Sequence, residues 1–169
     1  MATGSVGNMI RKIGASFFFI GYLPASGTAA SAVTAAALWY ANLKFGFMHG
    51  PGGAVSYWLA AMAVTAISFF FASRSMELFG KEDSSRIVID EVAGQMITFI
   101  LVPLSLRTLI AGFVLFRFFD IVKPYPIYHM EELADGVGVT MDDVAAGVLA
   151  NISLLIILFV YHAVKGYLS

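Results

Sequence analysis

Charge is distributed along this chain in a way that leaves few folds open. No charged residue lies between Lys12 and Lys44, and none lies between Lys44 and Arg74. The stretch from Val92 to Phe116 carries only Arg107, and the stretch from Val144 to Val164 carries none. A bilayer span needs about 20 consecutive apolar residues, so these gaps predict helices near 28–47, 54–73, 84–103, 106–122 and 144–164. Residues Ile13–Leu23 form an apolar run too short to cross, and they are expected to lie in the interface. The same run behind Arg11-Lys12 imitates a signal peptide, but nothing downstream reads as a secreted domain. The expected fold is all-α: one polytopic domain over residues 1–169, with four to five embedded helices after an N-terminal interfacial segment.

Composition removes several function classes. Charged residues make up 12% of the chain and mean hydropathy is +0.83, against about 25% charge in soluble domains. A net charge of -1 offers no basic field for nucleic acid. The absence of cysteine excludes disulfides, thiolate nucleophiles and Cys-ligated metals.

With the N-terminus on the cytoplasmic side, Arg11, Lys12, Arg74, Lys81, Arg86, Arg117 and Lys123 fall inside, against Lys44, Arg107 and Lys165 outside. That satisfies the positive-inside bias. All eleven acids, from Glu77 to Asp143, then gather at the inner face. Glu77, Glu82, Glu131, Glu132 and Asp135 read as solvated loop charge. Asp90, Glu91, Arg117 and Asp120 differ, because each adjoins or sits within an apolar run. Asp83 precedes Asp90 by seven residues and shares its helical face, while Gly94, four residues on, clears that face for close approach.

A hairpin turning near Ser105 sets residues 90 and 120 at equal depth in antiparallel helices. Ionisable groups at such depth are functional candidates. An ordinary ion pair of Arg117 with Asp90 or Asp120 is the structural alternative. Convergent carboxylates without Cys or a His pair suit a hard divalent cation, Mg²⁺ before Zn²⁺. Arg117 and Lys123 offer charge to phosphate oxygens, and a phosphate-bearing lipid headgroup is the natural substrate at that depth. Lys123 precedes Pro124, which disfavours α geometry and is expected to turn Lys123 out of its helix. In "LPASGTAAS", Gly27 and Thr28 would present backbone N–H groups at a helix start, unless Thr28 is simply an N-cap. In "VTMDDVAAG", Asp142 and Asp143 open the last span, with a Thr140–Asp143 capping box as the alternative reading.

The segments "GYLPASGT…S", "DSSRIVIDEVAGQ", "FRFFDIVKPYPI" and "GVTMDDVAAGVLAN", in order from Gly21 to Asn151, resemble the phosphatidylglycerophosphatase A family of bacterial inner-membrane lipid phosphatases. Ser26 stands where that family usually has proline, and Ala30 where it has glycine, while Gly27, Thr28 and Ser31 are kept. The resemblance implies Mg²⁺-dependent hydrolysis of phosphatidylglycerophosphate to phosphatidylglycerol and inorganic phosphate. It points to Asp83, Asp90, Glu91, Arg117, Asp120, Lys123, Asp142 and Asp143. The expected roles are Asp90, Glu91, Asp120, Asp83 and Asp142 toward metal, and Arg117, Lys123, Gly27, Thr28 and Ser31 toward substrate. Asp143 is expected as a further ligand or a water-orienting base, and Asp90, Asp120, Asp143 and Lys123 form the catalytic set. Another lipid phosphotransferase is the enzymatic alternative. A small ion-coupled carrier is the other, although its polar positions would continue to the outer face, and here they stop at the inner one.

Overall fold

The computed structural model describes residues 3–46, 50–73, 75–80, 84–131 and 137–168. The described residues are helical throughout their regular parts: α1 (Thr3–Ala15), α2 (Ser26–Phe45), α3 (Gly50–Ala72), α4 (Ser75–Phe79), α5 (Ile89–Thr98), α6 (Leu106–Val122), α7 (Ile127–Glu131) and α8 (Val137–Leu168). A 3-10 turn at Ile20–Tyr22 joins α1 to α2. Among the described residues, two helices are long and apolar enough to cross a membrane, Gly52–Ala72 and Val137–Tyr167.

Three of the expected helices keep their places. Residues 28–47, 54–73 and 106–122 became Ser26–Phe45, Gly50–Ala72 and Leu106–Val122. Their edges follow from local chemistry. Pro103 blocks an earlier start for α6, and Ser105 caps it. The Thr108 N–H donates to Ser105 Oγ at 3.2 Å while the Ser105 N–H donates to Thr108 Oγ1 at 2.8 Å. At the other end Lys123 leaves the helix in a left-handed conformation, with φ 46°.

The expected helix over 84–103 is cut at both ends. Residues 84–88 form an irregular strap instead. It is held by the Val88 N–H on the Ala15 carbonyl at 3.0 Å and by Ser26 Oγ on the Ser85 carbonyl at 2.8 Å. The Arg86 carbonyl also packs against Gly21, where a Cβ would overlap it. What remains, α5, has ten residues, about 15 Å of rise and half a hydrocarbon core. Its C-terminal carbonyls are capped from afar. Asn151 Nδ2 donates to the carbonyls of Thr98 and Ile100 at 3.0 and 2.7 Å, and the Tyr57 hydroxyl donates to the Met96 carbonyl at 2.6 Å. Free carbonyls at a helix end need such partners wherever water is excluded.

The last helix is longer than expected, at 32 residues against the 144–164 reading. It rises about 48 Å and so overruns a hydrocarbon core of about 30 Å. Thr140 lies inside it, fully buried, with its hydroxyl 3.0 Å from that of Ser68. The capping-box reading therefore gives way: Asp142 and Asp143 occupy the second turn of an established helix. In the Ile13–Leu23 segment the first residues complete α1. Phe18 and Phe19 then follow in left-handed conformation with 75% and 55% of their surface exposed.

Helix α5 is the centre of the bundle, with nine of its ten residues buried, all but Glu91. It runs parallel to α8 at very short range. A Cβ on Gly94 would lie 2.5 Å from both the Asp143 carbonyl oxygen and the Phe116 ring, and one on Gly147 would overlap the Gly94 carbonyl oxygen.

Replacing Asn151 by Leu leaves the Thr98 and Ile100 carbonyls without their donor, at a cost of about 1–3 kcal/mol. The expected result is a melting temperature several degrees lower in detergent, with the far-UV helical signal unchanged at low temperature.

Candidate active site

Asp90, Glu91, Asp120, Lys123, Asp142 and Asp143 line one cleft of about 120 Å³, together with Ser84 and Ser85. Three elements supply them: the first turn of α5, the C-terminal end of α6 and the second turn of α8. The hairpin geometry expected for residues 90 and 120 is met, since both face this cleft.

Within the cleft three carboxylates stand closest. One oxygen each from Asp90, Glu91 and Asp143 lies within 4.8 Å of the others. Oxygen ligands sit about 2.0–2.6 Å from Mg²⁺ or Ca²⁺, so such a trio can close around a single hard cation. The donor set supports the fit. Glu91 Oε2 and Asp143 Oδ1 are buried with no hydrogen-bond partner, a costly state for a carboxylate unless a positive charge offsets it. Helix α5 is too short to cross and lies outside the two helices that are long and apolar enough to do so. Burial pushes its Asp90 and Glu91 carboxyls above the ordinary range, and for Glu91 the adjacent Asp90 charge adds to the effect.

The neighbouring backbone fixes the first acid of each pair. Asp90 Oδ1 accepts from the Glu91 N–H at 3.0 Å, and Asp142 Oδ1 accepts from the Asp143 N–H at 2.9 Å. Asp142 Oδ2 is taken by Lys123 Nζ at 2.7 Å. Both Asp142 oxygens are thereby engaged, and the residue ties the end of α6 to the start of α8. Asp120 pairs with Arg117 at 2.5 Å, so the ion pair weighed from the sequence is present. The pair is made through Nη1 and leaves Arg117 Nε buried without a hydrogen-bond partner.

The N-terminus of α2 closes the site from another side. A Cβ on Gly27 would overlap Glu91 Oε1 and lie 3.2 Å from Arg117 Nη1. Only glycine lets this helix end stand against both groups. The N-cap is Ala25, with φ 52° and no side-chain cap, rather than Thr28. The first backbone N–H groups of α2 have no helical acceptor and point outward from the helix start. Thr28 is exposed, and Ser31 is buried with its hydroxyl donating to the Gly27 carbonyl at 2.8 Å. Ser31 therefore braces the helix start from behind. Asp83 lies outside the described residues.

Ser84 and Ser85 were not anticipated as cleft residues, and Asp143 was not anticipated as the closest partner of Asp90 and Glu91. The first pair was hidden in a segment read as helix. The second carried a signal: Asp90 and Asp143 each stand four residues before a glycine, Gly94 and Gly147.

The model of the family described as phosphatidylglycerophosphatase A matches residues 13–158. The chain belongs to that family. It is 42% identical over 104 residues to a Bacteroides thetaiotaomicron protein provisionally named a phosphatidylinositol-3-phosphatase, a match covering 59% of this chain and 65% of that one. It is 40% identical over 94 residues to phosphatidylglycerophosphatase A of Haemophilus influenzae, covering 52% and 58%. Against phosphatidylglycerophosphatase A of Escherichia coli the identity is 34% over 108 residues, covering 63% and 61%. The matched stretch thus spans less than two thirds of the length of each relative. No solved structure matches the chain significantly.

Gly27→Val would push Glu91 and Arg117 out of place without removing a charge. Disturbing the support of metal-holding groups typically costs 10–100-fold in affinity. Mn²⁺ binding followed by electron paramagnetic resonance is expected to weaken by about that factor, with the fold intact by circular dichroism.

Proposed function

We propose that the protein is a Mg²⁺-dependent phosphatase that hydrolyses the terminal phosphomonoester of phosphatidylglycerophosphate. The products are phosphatidylglycerol and inorganic phosphate, which places the enzyme in phospholipid biosynthesis. One observation carries the reading: Asp90, Glu91 and Asp143 converge within 4.8 Å beside a guanidinium whose buried Nε–H is unfilled and an uncapped helix start. A carboxylate nest alone repels a phosphate. A nest neutralised by a divalent ion, next to Arg117 and the α2 N-terminus, attracts one.

Asp90, Glu91 and Asp143 would hold the Mg²⁺. When bound, the ion neutralises phosphate oxygens and acidifies water, which lowers one of the largest uncatalysed barriers known. The chain's own groups do the rest. Arg117, oriented by Asp120 through Nη1, donates its free Nε–H to a phosphate oxygen. The backbone N–H groups of Gly27 and Thr28 add donors from α2, whose start is braced by Ser31. Lys123 contributes positive charge to the same cleft while orienting Asp142, and Asp143 also orients the attacking water. Asp83 remains assigned to the metal side on the family resemblance. As water adds to phosphorus, the P–O bond to the glycerol breaks, and the departing oxygen takes a proton to become the free hydroxyl of phosphatidylglycerol.

The membrane placement proposed with this function has α2, α3 and α8 crossing, and the α5–α6 hairpin entering and returning to the cytoplasmic side. That gives four to five embedded helices in a bacterial inner membrane, with the cleft at the cytoplasmic surface. The positive-inside bias supports that orientation.

The identity with the Bacteroides thetaiotaomicron protein favours one second reading, a phosphoinositide monoester as substrate on the same machinery. Phosphate release from both lipids in detergent, with Mg²⁺ or with EDTA, separates them. The expected outcome is Mg²⁺-dependent release from phosphatidylglycerophosphate, abolished by EDTA and by Asp90→Asn. Arg117→Ala is expected to lower kcat by about 10²–10³, and Arg117→Lys to restore little of it, because a lysine lacks the fork of donors. Equal activity of Asp90→Asn and the wild type would end the proposal.

A further inference from the structure

A second concavity adjoins the acidic cleft and differs from it in every lining residue. Pro126 and Met130 form one wall, and Met141, Val144, Ala145, Val148 and Leu149 form the other, around a cavity of about 280 Å³. Helix α7 is fixed over this space by Ile127, which is fully buried. On α8 the residues Asp142, Ala145 and Leu149 follow at i, i+3 and i+7 and so share one stripe. The groove therefore begins beneath Asp142 and its Lys123 partner and descends along the helix that is most able to cross a membrane. Polar head end above and wholly apolar channel below is the pattern of a phospholipid.

We propose that this groove receives the upper part of one acyl chain of the phospholipid substrate, so that the enzyme reads the tail as well as the headgroup. The inference rests on the lipid-phosphatase reading of the acidic cleft. Space is sufficient: a cavity of about 150 Å³ already accommodates benzene, and this one is nearly twice as large. Met130 and Met141, unbranched and adaptable, suit an occupant with many conformers. The continuity of groove and cleft through the Lys123–Pro126 segment distinguishes this site from other exposed apolar positions, such as Ile121 and Phe159, which line neither cavity.

Two measurements test it. In the first, Val148→Trp and Ala145→Phe fill the groove from its rim and its floor. Rates are compared on dioleoyl phosphatidylglycerophosphate and on the deacylated glycerophosphoglycerophosphate headgroup. The KM for the diacyl substrate is expected to rise about tenfold in both variants, while kcat/KM for the deacylated compound stays at the wild-type value. Undiminished preference for the diacyl substrate would overturn the proposal. So would a change of oligomeric state by light scattering that accounts for the loss, since the groove would then belong to a second copy.

In the second, phosphatidylglycerol with a diazirine in the first carbons of one chain is photolysed with the protein in detergent. Label is expected on Met130, Met141 and Val148, and is expected to fall about tenfold in Val148→Trp. Label spread evenly over Ile121 and Phe159 as well would make the groove ordinary lipid-facing surface and would sink the idea. Because labelling needs no turnover, a wild-type protein that labels in the groove but releases no phosphate would contradict the phosphatase reading and leave the acyl site standing.

Discussion

The close parallel approach of α5 to α8 governs this structure. Three tiers of contact hold the two helices in one register, with partners separated by 53 positions as in the pair Thr98 and Asn151. At the bottom Asn151 caps the carbonyl end of α5. In the middle Gly94 and Gly147 let the backbones meet where no Cβ would fit. At the top Asp90 and Asp143 stand together with Glu91. The glycines make the approach short enough for acids on different helices to share one ion, and the asparagine prevents the short helix from fraying. Each tier needs the other two.

Charge balance explains the elements gathered around that core. Three carboxylates brought together in a site with little water repel one another strongly, because both burial and mutual charge oppose ionisation. The structure surrounds them with positive potential: the start of α2 on one side, Arg117 behind Asp120 on another, and Lys123 on Asp142. Positive groups so placed lower the cost of holding the acids ionised. Under the proposed function, such a composition would suit a cation and a phosphate together, since each would offset the charge that opposes the other. The Gly27 contact makes this coupling tight, because the helix start that would face the anion touches the glutamate that would face the metal.

Much of this arrangement could be read in advance, and the failures have a common cause. The positions of α2, α3 and α6 were legible to within a few residues because uncharged runs and the turn after Pro103 act close to where they are felt. The convergence of Asp90 with Asp120 followed from a simple antiparallel hairpin. Helix α5 was misjudged at both ends, and in each case the deciding partner is remote: Ala15 and Ser26 hold the 84–88 strap, and Asn151 takes the last carbonyls. The Thr28 and Thr140 caps, allowed as alternative readings, are both absent for a related reason. Local spacing allowed a cap at each place, while packing put Ala25 at one helix start and buried Thr140 against Ser68 at the other.

By itself, then, the sequence determined the helical class, the positions of the long apolar segments and the set of acids and bases that face one end of them. Those properties depend on hydropathy and on short-range backbone chemistry, which a linear reading contains. Only the tertiary structure decided which acids share a centre, which are held by Arg117 and Lys123, and that the α2 helix start touches Glu91. Such choices turn on differences of a few ångströms between helices far apart in the chain, and those distances are set by how glycines and capping side chains let backbones pack.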